Sequence, residues 1–207
     1  MKSLTQHITE KLVLNNTTKV RKYNYHPKTN AELQKLVEKL VEERGNESDL
    51  NDIDTSQITD MSWIFDYSTF NGDISGWDVS NVKTMEGMFA KSEFTGENGD
   101  ISGWDVSSVE NMSGMFKVTK YNGDISKWDV SSVKRMGLMF YESEFTGENG
   151  DISKWDVSNV ITMWAMFEKS KFNGDISNWN VGKVMDMHNM FKQCPIKEEY
   201  KPKFNIK

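Results

Sequence analysis

Between residues 50 and 196 the apolar positions recur in a fixed order. In the second unit that order is Ile74, Trp77, Val79, Val82, Met85, Met88 and Phe89, with polar residues between them. The tryptophan row continues as Trp104, Trp128, Trp155 and Trp179, at steps of 27, 24, 27 and 24 residues. A three-residue insertion makes the longer steps, in Phe94-Thr95-Gly96-Glu97-Asn98-Gly99 and again over 145–150. A degenerate first unit leads with Leu50 and carries Ile53 in the tryptophan row, so six units fill residues 50–196. Repetition at this period marks an array whose units bury their apolar faces against one another.

Within a unit, Trp77-Asp78-Val79 alternates with period two and predicts a short half-buried strand. Val82, Met85, Met88 and Phe89 then fall at helical spacing, with Ser80 or Asn81 placed to cap the start. Gly72, Gly99, Gly123, Gly150 and Gly174, each beside an Asn, mark the return turn. The pattern therefore predicts an α/β repeat solenoid, a stack of six strand–helix units with a parallel sheet, the architecture that the resemblance given below also implies. Residues 1–49 do not repeat and predict a small α+β N-terminal cap. Leu12-Val13-Leu14 and Val20–Tyr25 read as strands, and Thr29-Asn30-Ala31-Glu32 as a capping box. That box opens a helix with Leu33, Leu36, Val37, Leu40 and Val41 on one stripe. Over residues 1–12, Leu4, Ile8 and Leu12 suit either a fraying helix packed on the cap or a short docking peptide. Residues 197–207 form a basic tail that closes the other end.

Charge narrows the partners. The formal net charge of -6 is carried by the repeats. Residues 1–49 hold 9 basic against 7 acidic groups, residues 50–194 hold 12 against 22, and the tail holds 4 against 2. An acidic body repels phosphate backbones and anionic lipid surfaces, so no nucleic acid and no membrane is expected as a partner. No apolar run approaches the roughly 18 residues a span needs, and the first residues are too polar for a signal peptide. A cytoplasmic or virion-associated location is therefore expected over export. The single cysteine, Cys194, allows no intrachain disulfide and shares a row with Ser68, Ser92, Thr119, Ser143 and Ser170, where a small buried residue belongs.

Chemistry-bearing residues are sparse. His7, His26 and His188 lie in three unrelated segments, and the serines sit where caps belong, with no neighbouring base. Neither a phosphate loop nor a metal-ligand spacing occurs, and the Met and Trp rows read as core. No catalytic residue, metal or cofactor is expected, and the chain reads as a non-enzyme.

Two groups of residues stand out as candidates for partner binding. Asp78, Asp105, Asp129, Asp156 and Asn180 fall between buried strand positions and should face outward in a stacked row, with like charges needing compensation. Three compensations fit: bonds to neighbouring serines or backbone N–H groups, a basic partner surface, or a bound cation such as calcium. The second group breaks the repeat. Where other units hold Thr59, Lys83, Glu110 or Lys134, the last two hold Ile161 and Met185. Where others hold Ser62, Glu86, Ser113 or Gly137, they hold Trp164 and His188. These four should form one patch on the outward helix side, covered either by the tail with Tyr200 and Phe204 or by another chain.

The unit Trp-Asp-Val-Ser-x-Val-x-x-Met-x-x-Met-Phe resembles the BspA-type leucine-rich-repeat surface proteins and the related mycoplasma-type repeats. The segment Ile74-x-x-Trp77-x-Val79 fits the frame of that repeat. The resemblance implies a β/α solenoid used for surface recognition or adhesion. The expected function is a non-catalytic protein-binding scaffold, recognising a protein partner, a basic one if the aspartates meet it, through the sheet face or the helix side. The alternative is a structural subunit of a larger assembly such as a bacteriophage virion, docked by its N-terminal segment.

Overall fold

A computed structural model describes residues 23–204 of the chain. The segment 1–12 and the strand expected over 12–14 lie outside the described residues, as does the first half, 20–22, of the strand expected over 20–25. Helix α1 spans Asn30–Arg44. Thr29 Oγ1 accepts from Glu32 N–H at 3.2 Å, which satisfies one orphan donor of the first turn, and the Glu32 carboxylate accepts from Lys28 N–H, just before the cap, at 2.7 Å. Leu33, Val37 and Leu40 are buried in one core continuous with the repeats, and Leu36 and Val41 are packed against it.

The repeats correct the expected architecture. They contain neither a sheet nor an α-helix: helix amounts to 12% and bridge residues to 5% of the structure. The β-pairing consists of isolated parallel bridges, and most of them follow the row Asp60, Thr84, Asn111, Arg135, Thr162 and Asp186, at the start of the expected helices. Trp77 and Val79 are buried around exposed Asp78, so the period-two burial holds. Yet this segment is an extended link between turns, not a paired strand. Trp77 N–H closes a turn on the Ile74 carbonyl at 3.0 Å, and Val82 N–H closes another on Val79 at 2.9 Å.

The segment expected to be helical is a run of overlapping turns. Met88, Ala90 and Ser92 N–H donate three residues back to Met85, Gly87 and Phe89. The intervening N–H groups of Met85, Gly87, Phe89 and Lys91 leave the unit altogether. They donate to the carbonyls of Asn111, Ser113, Met115 and Lys117 in the next unit, at 2.7–2.9 Å. An α-helix needs those donors for its own i−4 carbonyls, so the transverse ladder and a helix exclude each other. Backbone dihedrals enforce the same result. Gly87 and Lys91 have φ of +60° and +53°, and the equivalents recur in every unit, at Trp63 and Tyr67, Gly114 and Val118, through to Asn189 and Gln193. A left-handed residue every fourth position breaks any right-handed helix.

Side chains stack along the same axis. Phe65, Phe89, Phe116, Phe140, Phe167 and Phe191 form a near-parallel ladder with centroids 5.4–6.0 Å apart. The indole N–H groups of Trp77, Trp128, Trp155 and Trp179 donate to the carbonyls of Leu50, Ile101, Ile125 and Ile152 at 3.0–3.1 Å, which makes the tryptophan row a hydrogen-bonding row as well as core. Trp104 Nε1, buried, has no partner among the described residues. Cys194 is half-buried, not fully enclosed; burial pushes its thiol pKa up, and Sγ donates to the Phe172 carbonyl at 3.2 Å.

Candidate functional site

The aspartate row is exposed and tied into its own turns. Asp78 Oδ1 accepts from Ser80 N–H and Oγ at 3.0 and 2.7 Å, and Asp105 from Ser107 at 3.1 and 2.6 Å. Asp129 and Asp156 accept from Ser131 and Ser158 N–H at 3.0 Å, and Asn180 from Gly182 N–H at 3.2 Å. The serine hydroxyl and N–H hold the Asp105 and Asp156 carboxyls below the usual range. A second aspartate row does the same: Asp100, Asp124, Asp151 and Asp175 cap Ser102, Ser126, Ser153 and Ser177. There is no sheet face for the first row to line. It decorates a stack of side-chain-capped turns.

Ile161, Trp164, Met185 and His188 come together around the Thr162–Asp186 bridge. Met185 N–H donates to the Ile161 carbonyl at 2.9 Å, and the Trp164 and His188 rings stack at 5.8 Å with 17° between planes. The position is a turn surface, since no helix is present to give it a side. Met185 is 81% and Trp164 37% exposed, while Ile161 is half-buried. The space for the large indole is made by Gly137, where a Cβ would sit 2.5 Å from Trp164 Nε1. His188 Nδ1 lies 2.5 Å from Asp186 Oδ1. The described part of the tail, to residue 204, runs elsewhere. Its Tyr200 carbonyl accepts from Ile176 N–H at 3.0 Å, and Lys201 Nζ lies 5.6 Å from the Phe191 ring centre. Beside Ile161 runs an open polar groove with Ser107, Glu110, Ser131, Lys134 and Asn159 in its wall.

A second exposed aromatic pair was not singled out from sequence. Trp63 and Tyr67, 43% and 67% exposed, lie at the other end of the stack. A Cβ on Gly87 would fall 2.0 Å from Trp63 Cζ3, so the indole lies flat on that backbone. The signal was present: Trp63 occupies a row that elsewhere reads Gly87, Gly114, Leu138, Ala165 and Asn189.

Polar clefts lie beside the insertions. One has Thr95, Glu97, Lys120, Asn122 and Asn149 in its wall, and a matching one follows with Thr146, Glu148, Lys171 and Asn173. Their lysines are engaged, Lys120 with Glu93 and Lys171 with Glu144. His26 pairs with Asp54 at 3.1 Å, but the Ser56 hydroxyl bonds that carboxylate and not the imidazole. Among the described residues no group of three or more His, Cys, Asp or Glu side chains is gathered to hold a metal ion. Among the same residues no helix is long and apolar enough to cross a membrane.

A stack of near-identical turn-built units, held by transverse main-chain bonds and aromatic ladders, defines a tandem-repeat protein. The chain belongs to the family described as "Mycoplasma protein of unknown function, DUF285", whose model matches residues 31–149 and again 117–206. The two overlapping matches reflect units that are interchangeable along the stack. BspA-like repeat proteins are members of this family. No curated protein and no solved structure matches the chain.

Proposed function

We propose that this protein is a non-catalytic protein-binding scaffold that recognises a protein partner through the patch of Ile161, Trp164, Met185 and His188. The observation that carries the reading is the exposure of Met185 and Trp164 at positions where four other units hold small or charged residues. The repeat needs no apolar group there, and clustered exposed apolar side chains mark contact surfaces. A flat indole stacked on an imidazole supplies the rigid aromatic anchor on which protein interfaces concentrate their binding energy. The BspA-like character of the family supports the same reading. The aspartate row, already bonded to its serines, adds acidic surface along the stack that favours a basic partner.

The test is affinity capture from native lysate with the wild-type chain, a Trp164→Ser/Met185→Ser variant and an Asp105→Lys/Asp129→Lys variant. Loss of the captured protein with the first variant, at an unchanged melting temperature, is expected, with partial, salt-sensitive weakening for the second. Equal capture by wild type and the patch variant refutes the reading.

A further inference from the structure

An asparagine followed by glycine is the pair most prone to lose its side-chain amide spontaneously. The glycine nitrogen attacks the asparagine Cγ, ammonia leaves, and water opens the resulting succinimide to aspartate or isoaspartate. Glycine favours the step because it allows the close main-chain approach that ring closure needs. The repeats hold this pair five times, at Asn71-Gly72, Asn98-Gly99, Asn122-Gly123, Asn149-Gly150 and Asn173-Gly174, each followed by Asp. Their sequences rank them equally, and their surroundings do not.

Four of the five asparagines are held. Asn71 Oδ1 accepts from Thr95 N–H and Oγ1 at 2.8 and 3.1 Å, and Asn122 Oδ1 from Thr146 N–H and Oγ1 at 2.9 and 3.3 Å. Asn98 and Asn149 Nδ2 donate to the Asn71 and Asn122 carbonyls at 2.7 Å, and Gly99 and Gly150 are buried. Each side chain must give up these bonds before Cγ can swing onto the next nitrogen. Asn173 is exposed, and its side chain has no protein partner among the described residues. It borders a polar cleft of about 310 Å³ with Thr146, Lys171 and Pro195 in the wall, so water reaches it. The cause lies in the repeat. Thr95 and Thr146 stand 24 residues after the asparagines they hold, whereas the residue at that step from Asn173 is Lys197. Water exchanges too fast to hold an exposed side chain still, so hydration leaves the difference in place.

We infer that Asn173 is a site of spontaneous modification, converted by water to aspartate and isoaspartate through a succinimide closed by the Gly174 nitrogen. In the first step the bond from Gly174 N to Cγ forms and the bond from Cγ to Nδ2 breaks, with the Gly174 amide proton leaving in the ammonia. Water then adds at one ring carbonyl: cleavage at Cγ gives aspartate, and cleavage at the Asn173 main-chain carbonyl gives isoaspartate. Either product adds a carboxylate to an acidic body, and isoaspartate also lengthens the main chain by one methylene. Asn173 N–H donates to the Thr146 carbonyl at 3.2 Å, a rung between the last two coils of the stack. The patch is built across the same two coils, with Ile161 and Trp164 on one and Met185 and His188 on the other. Modification at Asn173 therefore loosens, with age, the join that carries the patch.

The experiment is timed incubation of the full-length chain in mildly alkaline buffer, beside the same chain unfolded in urea. Peptide mapping by mass spectrometry, with aspartate and isoaspartate resolved, gives the rate at each of the five pairs. In urea the five should react at closely similar rates. In the folded chain Asn173 should react about as fast as in urea, and the other four about tenfold more slowly, since their bonds must break first. Aged chain, separated by its added negative charge, should melt below fresh chain, and Asn173→Gln chain aged alike should keep its melting temperature. Equal rates at all five pairs of the folded chain overturn the inference, as does an Asn173 slowed as much as the rest. Aspartate without isoaspartate at 173 overturns it too, because that product means direct hydrolysis and no succinimide. Identical melting of aged and fresh chain, or an equal fall in Asn173→Gln, overturns the loosening of the join.

Discussion

The left-handed turns make an unusual demand on Gly114. Its φ is +64°, and a Cβ placed on it meets nothing nearer than Lys117 Cβ at 3.9 Å. Gly114→Ala therefore isolates the backbone cost of a left-handed L residue, about 1 kcal/mol of destabilisation. A helical unit makes the opposite forecast, because replacing an interior helix glycine by alanine gains about 0.5–1 kcal/mol. Gly87→Ala adds a second effect. Its φ is +60°, and the new Cβ would lie 2.0 Å from Trp63 Cζ3, so the indole must leave the backbone. Overpacking of this kind adds about 1–3 kcal/mol. Combining Gly87→Ala with Trp63→Ala should return the cost toward that of Gly114→Ala. Denaturant unfolding with unchanged slopes reads the three values, and thermal melts should fall by about 2–4 °C per kcal/mol in a chain of this size. A stabilising Gly114→Ala would refute the turn-built repeat.

Gln193→Gly, exposed with φ of +57°, should raise stability by up to about 1 kcal/mol, where glycine in a helix would lower it; equilibrium unfolding decides the sign. Desolvation raises the Asp66 carboxyl pKa, which costs stability above the ordinary carboxyl range and not below it. Asp66→Asn should therefore be more stable than wild type at pH 7, with the gain fading below about pH 4; a gain independent of pH would contradict this. Asp105 has the opposite sign: its lowered pKa contributes stability that is lost as pH falls, so Asp105→Ala should be less stable at neutral pH and converge on wild type in acid. Melting curves with and without a chelator should superimpose, because the Asp105 carboxylate already accepts from Ser107 Oγ at 2.6 Å; a large downward shift on chelation would restore the cation reading of the row.

The rows of the core were legible in the sequence, and the backbone that carries them was not. Ile74, Trp77, Val79, Val82, Met85, Met88 and Phe89 are all buried, as their recurrence implies. Their spacing within one unit, however, fits a helix and a chain of overlapping turns equally well, since both bring every third or fourth residue to one side. The deciding signal was the row of Trp63, Gly87, Gly114, Leu138, Ala165 and Asn189, whose two glycines mark φ near +60° and whose other members conceal it. Helix α1 was legible because Thr29 and Glu32 fix its start and Leu33, Val37 and Leu40 its buried side. The patch could be found from sequence only as a departure from the repeat, at Ile161 and Trp164. That Tyr200 would be drawn to the main chain at Ile176, and not to the patch, could not.

The central claim is that a protein partner contacts the patch. A photo-crosslinking amino acid placed at Met185 tests it most directly, with Asp78 as the comparison site on the aspartate row. Under native conditions the account predicts one discrete crosslinked partner from position 185, abolished by Trp164→Ser, and a much weaker product from position 78. A strong adduct at position 78 with none at 185, or products at 185 indifferent to Trp164, would contradict it.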